Sequence, residues 1–217
     1  MIWTGIWAGL LLLAAYGVGA MPFSNWVAEA LAKTDLRQME GGTVSGTGLY
    51  RVAGFFPLAV GGLLDVGKGT LGPLLADTVW AEDRWLLVAF AGAAAVAGHN
   101  WSVLLWGAGG RGISPALGAF SIIAWPASLY LLGALALGRL VHHTGLVVFV
   151  ALPTLPLFLL WIDSAQATIA AALIVLPMFA KRVLGNTPLP AQNRLRAAAH
   201  RLVFDNDHWP VQPSPEH

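Results

Sequence analysis

The feature that most constrains this chain is where its charges are missing. No charged side chain precedes Glu29, and those beyond it fall in short clusters between apolar runs at roughly residues 2–21, 49–64, 69–76, 85–98, 113–138, 144–162 and 164–180. Hydrophobic residues make up 57% and charged ones 11% of the chain, where a soluble domain has about 25% charged. A water-soluble fold with so little charge cannot cover its apolar surface, and the same numbers exclude disorder. The chain therefore reads as an integral membrane protein. Hydrocarbon offers no water to satisfy a bare backbone, so each run is expected to be helical and the fold all-α, a polytopic helix bundle.

The remaining composition removes whole classes of function. The formal charge of +1 leaves no basic surface to hold nucleic acid by its phosphates. The absence of cysteine excludes a disulfide scaffold, a thiolate metal site and a cysteine nucleophile.

Residues 2–20 have a signal-like end at Gly19-Ala20 but no basic n-region, so a retained first helix with its N-terminus outside is expected. Small residues such as Gly5, Gly9 and those of Ala91–Ala97 suit close helix packing in lipid. A single crossing over 112–138, kinked at Pro126, gives six crossings or fewer; a turn at Trp125-Pro126 gives about seven short transmembrane helices. Lys181, Arg182, Arg194, Arg196 and Arg201 favour a cytoplasmic C-terminus. Loops 22–48 and 101–114 then face the cytoplasm, and the polar knot of Asp77, Glu82, Asp83 and Arg84 lies outside. Residues 1–185 are expected to form the bundle and 186–217 a cytoplasmic, partly disordered tail. Within that tail, 195–203 forms a short amphipathic helix with Arg194, Arg196 and Arg201 on anionic headgroups.

Four polar constellations interrupt this pattern, and ionisable groups at membrane depth need a reason. The loop Asp35 to Arg51 mixes Gly41, Gly42, Gly46 and Gly48 with Thr43, Ser45 and Thr47 and carries Arg37. It is either a flexible connection or an anion-binding loop of converging amides and cations. Asp65 and Lys68 lie three apart on one helical face, as a neutralising pair or with the lysine facing a ligand. Gly98-His99 leads into the turn Gly107-Ala108-Gly109-Gly110-Arg111-Gly112, which opens a helix. That turn is a tight connection or a phosphate seat, and it lacks Walker spacing. His142 and His143 are adjacent and so make a poor metal pair; they mark an interfacial helix end or an acid–base group. His200 and Asp205 have the H-x-x-x-x-D spacing of other lipid acyltransferases, but the large domain that must follow is missing. That match is set aside as a coincidence.

In order and spacing, these motifs resemble the bacterial acyl-phosphate:glycerol-3-phosphate acyltransferase family, the PlsY type. Gly19-Ala20-Met21-Pro22-Phe23 resembles the family's Gly-Ser-Ile-Pro-Phe opening. Asp35, Arg37, Gly42, Thr47 and Arg51 match its first glycine-rich loop, D-x-x-K-G is matched by Asp65, Lys68 and Gly69, and Gly98-His99 through Gly112 resembles its third motif. Thr43 and Gly48 stand where the family has asparagines, Gly41 replaces a serine, and Ala108 and Arg111 replace lysines. The family's later Tyr-x-Ser-Leu segment is replaced around His142-His143, and its Arg-His-x-x-Asn has no match before Lys181.

The resemblance implies transfer of a fatty acyl group from acyl phosphate to the 1-hydroxyl of glycerol 3-phosphate, giving lysophosphatidate and phosphate with no metal or cofactor. It places the enzyme in the bacterial plasma membrane, among lipids, with its site facing the cytoplasm. Arg37, Gly42, Thr43, Ser45, Thr47 and Arg51 are expected to hold one phosphate. Lys68, Arg111, Gly109, Gly110 and Gly112 hold the other, with Asp65 beside them and His99 orienting a phosphate or moving a proton. The alternatives are a related acyltransferase with a different acceptor or donor, and a non-catalytic lipid-binding homologue.

Overall fold

The computed structural model describes residues 2–39, 42–79 and 84–207. Gly41, Glu82 and Asp83 and the last ten residues of the tail lie outside these. The described residues contain ten α-helices and no strand: α1 (Ile2–Gly19), α2 (Phe23–Ala32), α3 (Gly46–Ala53), α4 (Phe55–Val79), α5 (Trp85–Asn100), α6 (Ile113–Ile123), α7 (Trp125–Leu140), α8 (Thr144–Ile162), α9 (Ala165–Leu184) and α10 (Arg194–Phe204). The chain breaks between α6 and α7 rather than kinking. Ala124 is extended (φ −160°, ψ 88°) and Pro126 sits in the first turn of α7, where its missing N–H costs nothing. Four stretches are long and apolar enough to cross a membrane: Gly5–Ala32, Trp85–Leu105, Thr144–Ile162 and Ala165–Leu184.

Glycines let the central helices touch backbone to backbone. A Cβ on Gly19 would overlap the Ala95 carbonyl and one on Gly98 the Tyr16 carbonyl, so α1 and α5 cross there. Gly69 and Gly118 stand against the Pro115 and Val66 carbonyls in the same way, joining α4 to α6. With lipid around the bundle, such close packing replaces the hydrophobic drive of a soluble core. Phe120 of α6, Leu131 of α7, Leu152 and Leu155 of α8 and Ile174 and Met178 of α9 form the largest buried cluster. Phe55, Phe56, Leu63, Leu140, Trp161 and Leu176 point outward.

A second buried cluster, of Ala28, Leu36, Val44, Leu49 and Leu105, lies under the first glycine-rich loop and ties it to the turn after α5. His142 and His143 are exposed in the α7–α8 turn, away from these loops' contacts.

The expected headgroup helix forms, but not as a headgroup helix throughout. α10 packs on α8 and α9, with the Phe204 carbonyl against Gly145. Arg201, expected at anionic lipid, is 2% exposed. Its guanidinium donates to the carbonyls of Leu184, Thr187, Pro188 and Asp207 and to Thr187 Oγ1. The end of α9, the chain that follows it and Asp207 beyond α10 supply those carbonyls, and composition alone does not reveal them.

Candidate active site

The polar groups converge where the start of α2, the middle of α4 and the end of α5 meet. Asp65 and Lys68 are one turn apart on α4, and Lys68 Nζ lies 2.8 Å from Asp65 Oδ1, both side chains almost wholly buried. Ser24 Oγ donates to Asp65 Oδ2 (2.6 Å) and Lys68 Nζ to the Met21 carbonyl (2.6 Å). Lys68 also stands over the Phe23 ring, 5.8 Å from its centroid. His99, at the last turn of α5, brings Nδ1 to 3.9 Å from Asp65 Oδ1. Ser102 Oγ donates to the Ala20 carbonyl and fixes the chain beyond α5.

The third-motif turn closes over this cluster. Gly110 N–H donates to the His99 carbonyl, and a Cβ at Gly110 would strike His99 Nε2. Gly109 N–H donates to Asn186 Oδ1 (3.1 Å), and the Gly109 carbonyl accepts from Asn186 Nδ2 (2.9 Å) and Val44 N–H (3.3 Å). Ser24, Asp65, Lys68, His99, Ser102, Gly109 and Gly110 line one narrow pocket of about 10 Å³. Both glycine amides are thus spent inside the protein, contrary to the expectation that they face a phosphate.

Arg111 departs further from its expected role. Its Nε lies 2.6 Å from Asp205 Oδ1 and its Nη2 2.5 Å from Asp207 Oδ1, while Nη1 donates to the Lys181 carbonyl at 3.0 Å. It is 6% exposed and does not line the pocket. Arg182 faces Asp205 as well, at 3.5 Å, and donates to the Gly145 and Leu202 carbonyls. Burial raises the Asp205 carboxyl above its ordinary range, against the opposing pull of Arg182 and Arg111. Lys181 reaches the Gly107 carbonyl (3.3 Å) and stands over Trp101. Gly112 caps α6 with φ +79°, a left-handed conformation that favours glycine.

The first loop forms a rim rather than part of the cluster. Asn25 Oδ1 accepts from Leu36 N–H, seating the one-turn 3₁₀ segment Leu36–Gln38. Asp35 caps that segment and grips the Arg37 guanidinium through Nε and Nη2. That grip holds the Asp35 carboxyl below its usual range and raises Arg37. Gly42 takes φ +57°, Ser45 caps α3 by accepting from Gly48 N–H, Thr43 is half-buried, and Thr47 and Arg51 are exposed.

Sequence reasoning missed Ser24, Asn25, Lys181, Asn186 and Asp207 as site residues and set Asp205 aside, while Ser102 stood within the third constellation without a role. Ser24 directly follows the Pro22-Phe23 pair and was within reach of motif reading. Asn186 and the two aspartates gave no local signal.

A family model described as glycerol-3-phosphate acyltransferase matches residues 9–184. The chain belongs to the glycerol-3-phosphate acyltransferase family. Among its relatives, a glycerol-3-phosphate acyltransferase of Synechococcus sp. (strain CC9902) is 40% identical over 152 residues, 68% of this chain and 75% of the relative. Glycerol-3-phosphate acyltransferase 1 of Dehalococcoides mccartyi is 33% identical over 207 residues, 91% of this chain and 96% of its own. The crystal structure of PlsY, an integral membrane glycerol 3-phosphate acyltransferase, in its glycerol 3-phosphate form, superposes with a TM-score of 0.71 at 26% identity, covering 81% of this chain and 88% of that one. The acyltransferase match ends one residue before Gly185, so the segment that grips Gly109 and Arg111 lies beyond it.

Proposed function

We propose that this acyltransferase moves a fatty acyl group from acyl phosphate to the 1-hydroxyl of glycerol 3-phosphate, giving lysophosphatidate and phosphate. The observation that carries the reading is the buried Asp65–Lys68–His99 cluster, roofed by the third glycine-rich motif in a chain of this family. The hydroxyl oxygen attacks the acyl carbonyl carbon, the carbonyl–phosphate bond breaks, and phosphate leaves with the bond's electron pair. Lys68 meets the charge that builds on the phosphoryl oxygens, and a fixed ammonium in a water-poor site is worth far more than one in water. His99 takes the hydroxyl proton. Asp65, held by Ser24, keeps Lys68 in place.

Arg37, Thr47 and Arg51 on the exposed rim draw the two anionic substrates in. Gly42, Thr43 and Ser45 shape the loop that carries them. Arg111 and Gly112 act as anchors of the turn. The pocket is narrow, and outward movement of the 42–48 loop or the 107–112 turn would widen it for a phosphoryl group. Contacts of Gly109 with Asn186 and of Arg111 with Asp205 put the glycine loops and the tail at one end of the bundle. With Arg194 and Arg196 in that tail, this end faces the cytoplasm of a bacterial plasma membrane.

Purified protein given labelled acyl phosphate and glycerol 3-phosphate is expected to form lysophosphatidate. Acyl phosphate left intact with every acceptor would overturn the reading. A different acceptor is the second reading, favoured by Thr43, Gly48 and the spent glycine amides; phosphate release only with another alcohol would establish it.

A further inference from the structure

Residues 185–207 hold the turn that roofs the pocket through a closed circuit of contacts. The Asn186 carboxamide meets the Gly109 peptide edge to edge, donating to its carbonyl at 2.9 Å and accepting from its amide at 3.1 Å. Asn186 N–H in turn donates to Asp207 Oδ2 at 2.8 Å. Asp207 Oδ1 pairs with Arg111, two residues along from Gly109. The next peptide, at Gly110, donates to the His99 carbonyl, and Gly110 lacks the Cβ that would collide with His99 Nε2.

We propose that Asn186, braced by Asp207, is a positioning residue that sets the seat of the His99 imidazole through the Gly109–Gly110 backbone. The physical case rests on how much freedom this turn has to lose. Gly107, Gly109, Gly110 and Gly112 fall within six positions, and glycine has the widest backbone choice of any residue. A carboxamide that engages both the donor and the acceptor of one peptide fixes the rotation of that peptide. Asp207 is 5% exposed and its carboxylate serves Asn186 and Arg111 together, so the brace is itself held from both sides. The roof then fixes the ring that lies beneath it. Misplacing a reacting group by an ångström can cost about a hundredfold in rate.

The inference rests on the reading of His99 as the proton acceptor, and the test separates the two. Full-length wild type, Asn186→Asp and Asp207→Asn are purified in the same detergent. Asn186→Asp keeps size and shape but turns an acceptor toward the Gly109 carbonyl. It is expected to lower kcat by about tenfold or more, with KM for glycerol 3-phosphate changed less than threefold and the melting temperature nearly kept. Asp207→Asn, which keeps an acceptor for Asn186 N–H, is expected to fall between the two. The His99 ring nitrogen signals, read by NMR and assigned with His99→Gln, are expected to move in Asn186→Asp. Unchanged ring signals, or kcat per folded molecule equal to wild type, would overturn the proposal. Should wild type form no lysophosphatidate, the reaction reading fails, and the ring signals alone decide the role of Asn186.

Discussion

Replacing Arg111 by methionine separates an anchor from a substrate-binding cation. The change keeps an unbranched apolar stem and removes all three polar contacts, to Asp205, Asp207 and the Lys181 carbonyl. Asp207, its side chain fully buried, and Asp205, its side chain 20% exposed, then lose their shared partner. Removing one member of a buried pair costs about 3–5 kcal/mol, mostly from the charge left behind. Asp205 still has Arg182 at 3.5 Å and its raised carboxyl pKa lets it take up a proton, so the lower end applies, about 3 kcal/mol. For a chain of this size that is a fall of about 6–12 °C in melting temperature. The assay is thermal unfolding in detergent beside acyl transfer per folded molecule at a temperature where both proteins stay folded. Arg111→Met is expected to melt early yet keep measurable transfer. Arg111→Met with Asp205→Asn and Asp207→Asn is expected to regain part of the lost stability, because the stranded charges are gone. A variant that melts like wild type and transfers no acyl group would refute the reasoning and return Arg111 to the substrate.

Lys68→Met strands the buried Asp65 and is also expected to melt early, but transfer per folded molecule is expected to fall by about a thousandfold, measured by lysophosphatidate formation on the folded fraction from gel filtration; activity near wild type would remove Lys68 from the mechanism. Gly118→Ala places a Cβ on the Val66 carbonyl at the α4–α6 crossing, and is expected to destabilise by about 1–3 kcal/mol or more, read as a drop in melting temperature that Gly133→Ala, in open space, does not produce. Asp35, whose carboxyl the Arg37 guanidinium holds below its ordinary value of 3.8, binds its proton more weakly in the folded chain. Its contribution is therefore complete above that value and is lost only as pH falls through the lower folded one. Because Arg37 is well exposed the loss is small, and an Asp35 carboxyl titrating at or above 3.8 by NMR would contradict it.

What the sequence made legible follows the range over which each interaction acts. The apolar runs gave the helices, because a membrane leaves the backbone no other choice. Asp65 and Lys68 were readable as a pair because three residues on a helix is a fixed distance, and the structure closes it to 2.8 Å. The Trp125-Pro126 break was readable as one of two alternatives. Arg111 was not readable, because its partners lie at Asp205 and Asp207 and the sequence between them is a run of apolar helices. For the same reason the seating of residues 186–207 was not readable, because it comes from two carboxylates meeting cations buried in the bundle. The glycine amides misled for a different reason. Sequence shows that a backbone can approach a phosphate, but not whether its donors are already engaged.

Position separates the two paired cations, since one lines the pocket and the other faces the tail. An ammonium carries three N–H donors, and Lys68 spends one on the Met21 carbonyl and one on Asp65. One remains, and the side chain lines the pocket. All three guanidinium nitrogens of Arg111 are engaged outside it. Pairing with Asp65 therefore holds Lys68 Nζ at the pocket without exhausting its donors, whereas the contacts of Arg111 tie the turn to the tail aspartates. The same geometry suits His99. At 3.9 Å from Asp65 its Nδ1 is beyond hydrogen-bond length, so the carboxylate attracts charge on the ring without being bonded to it.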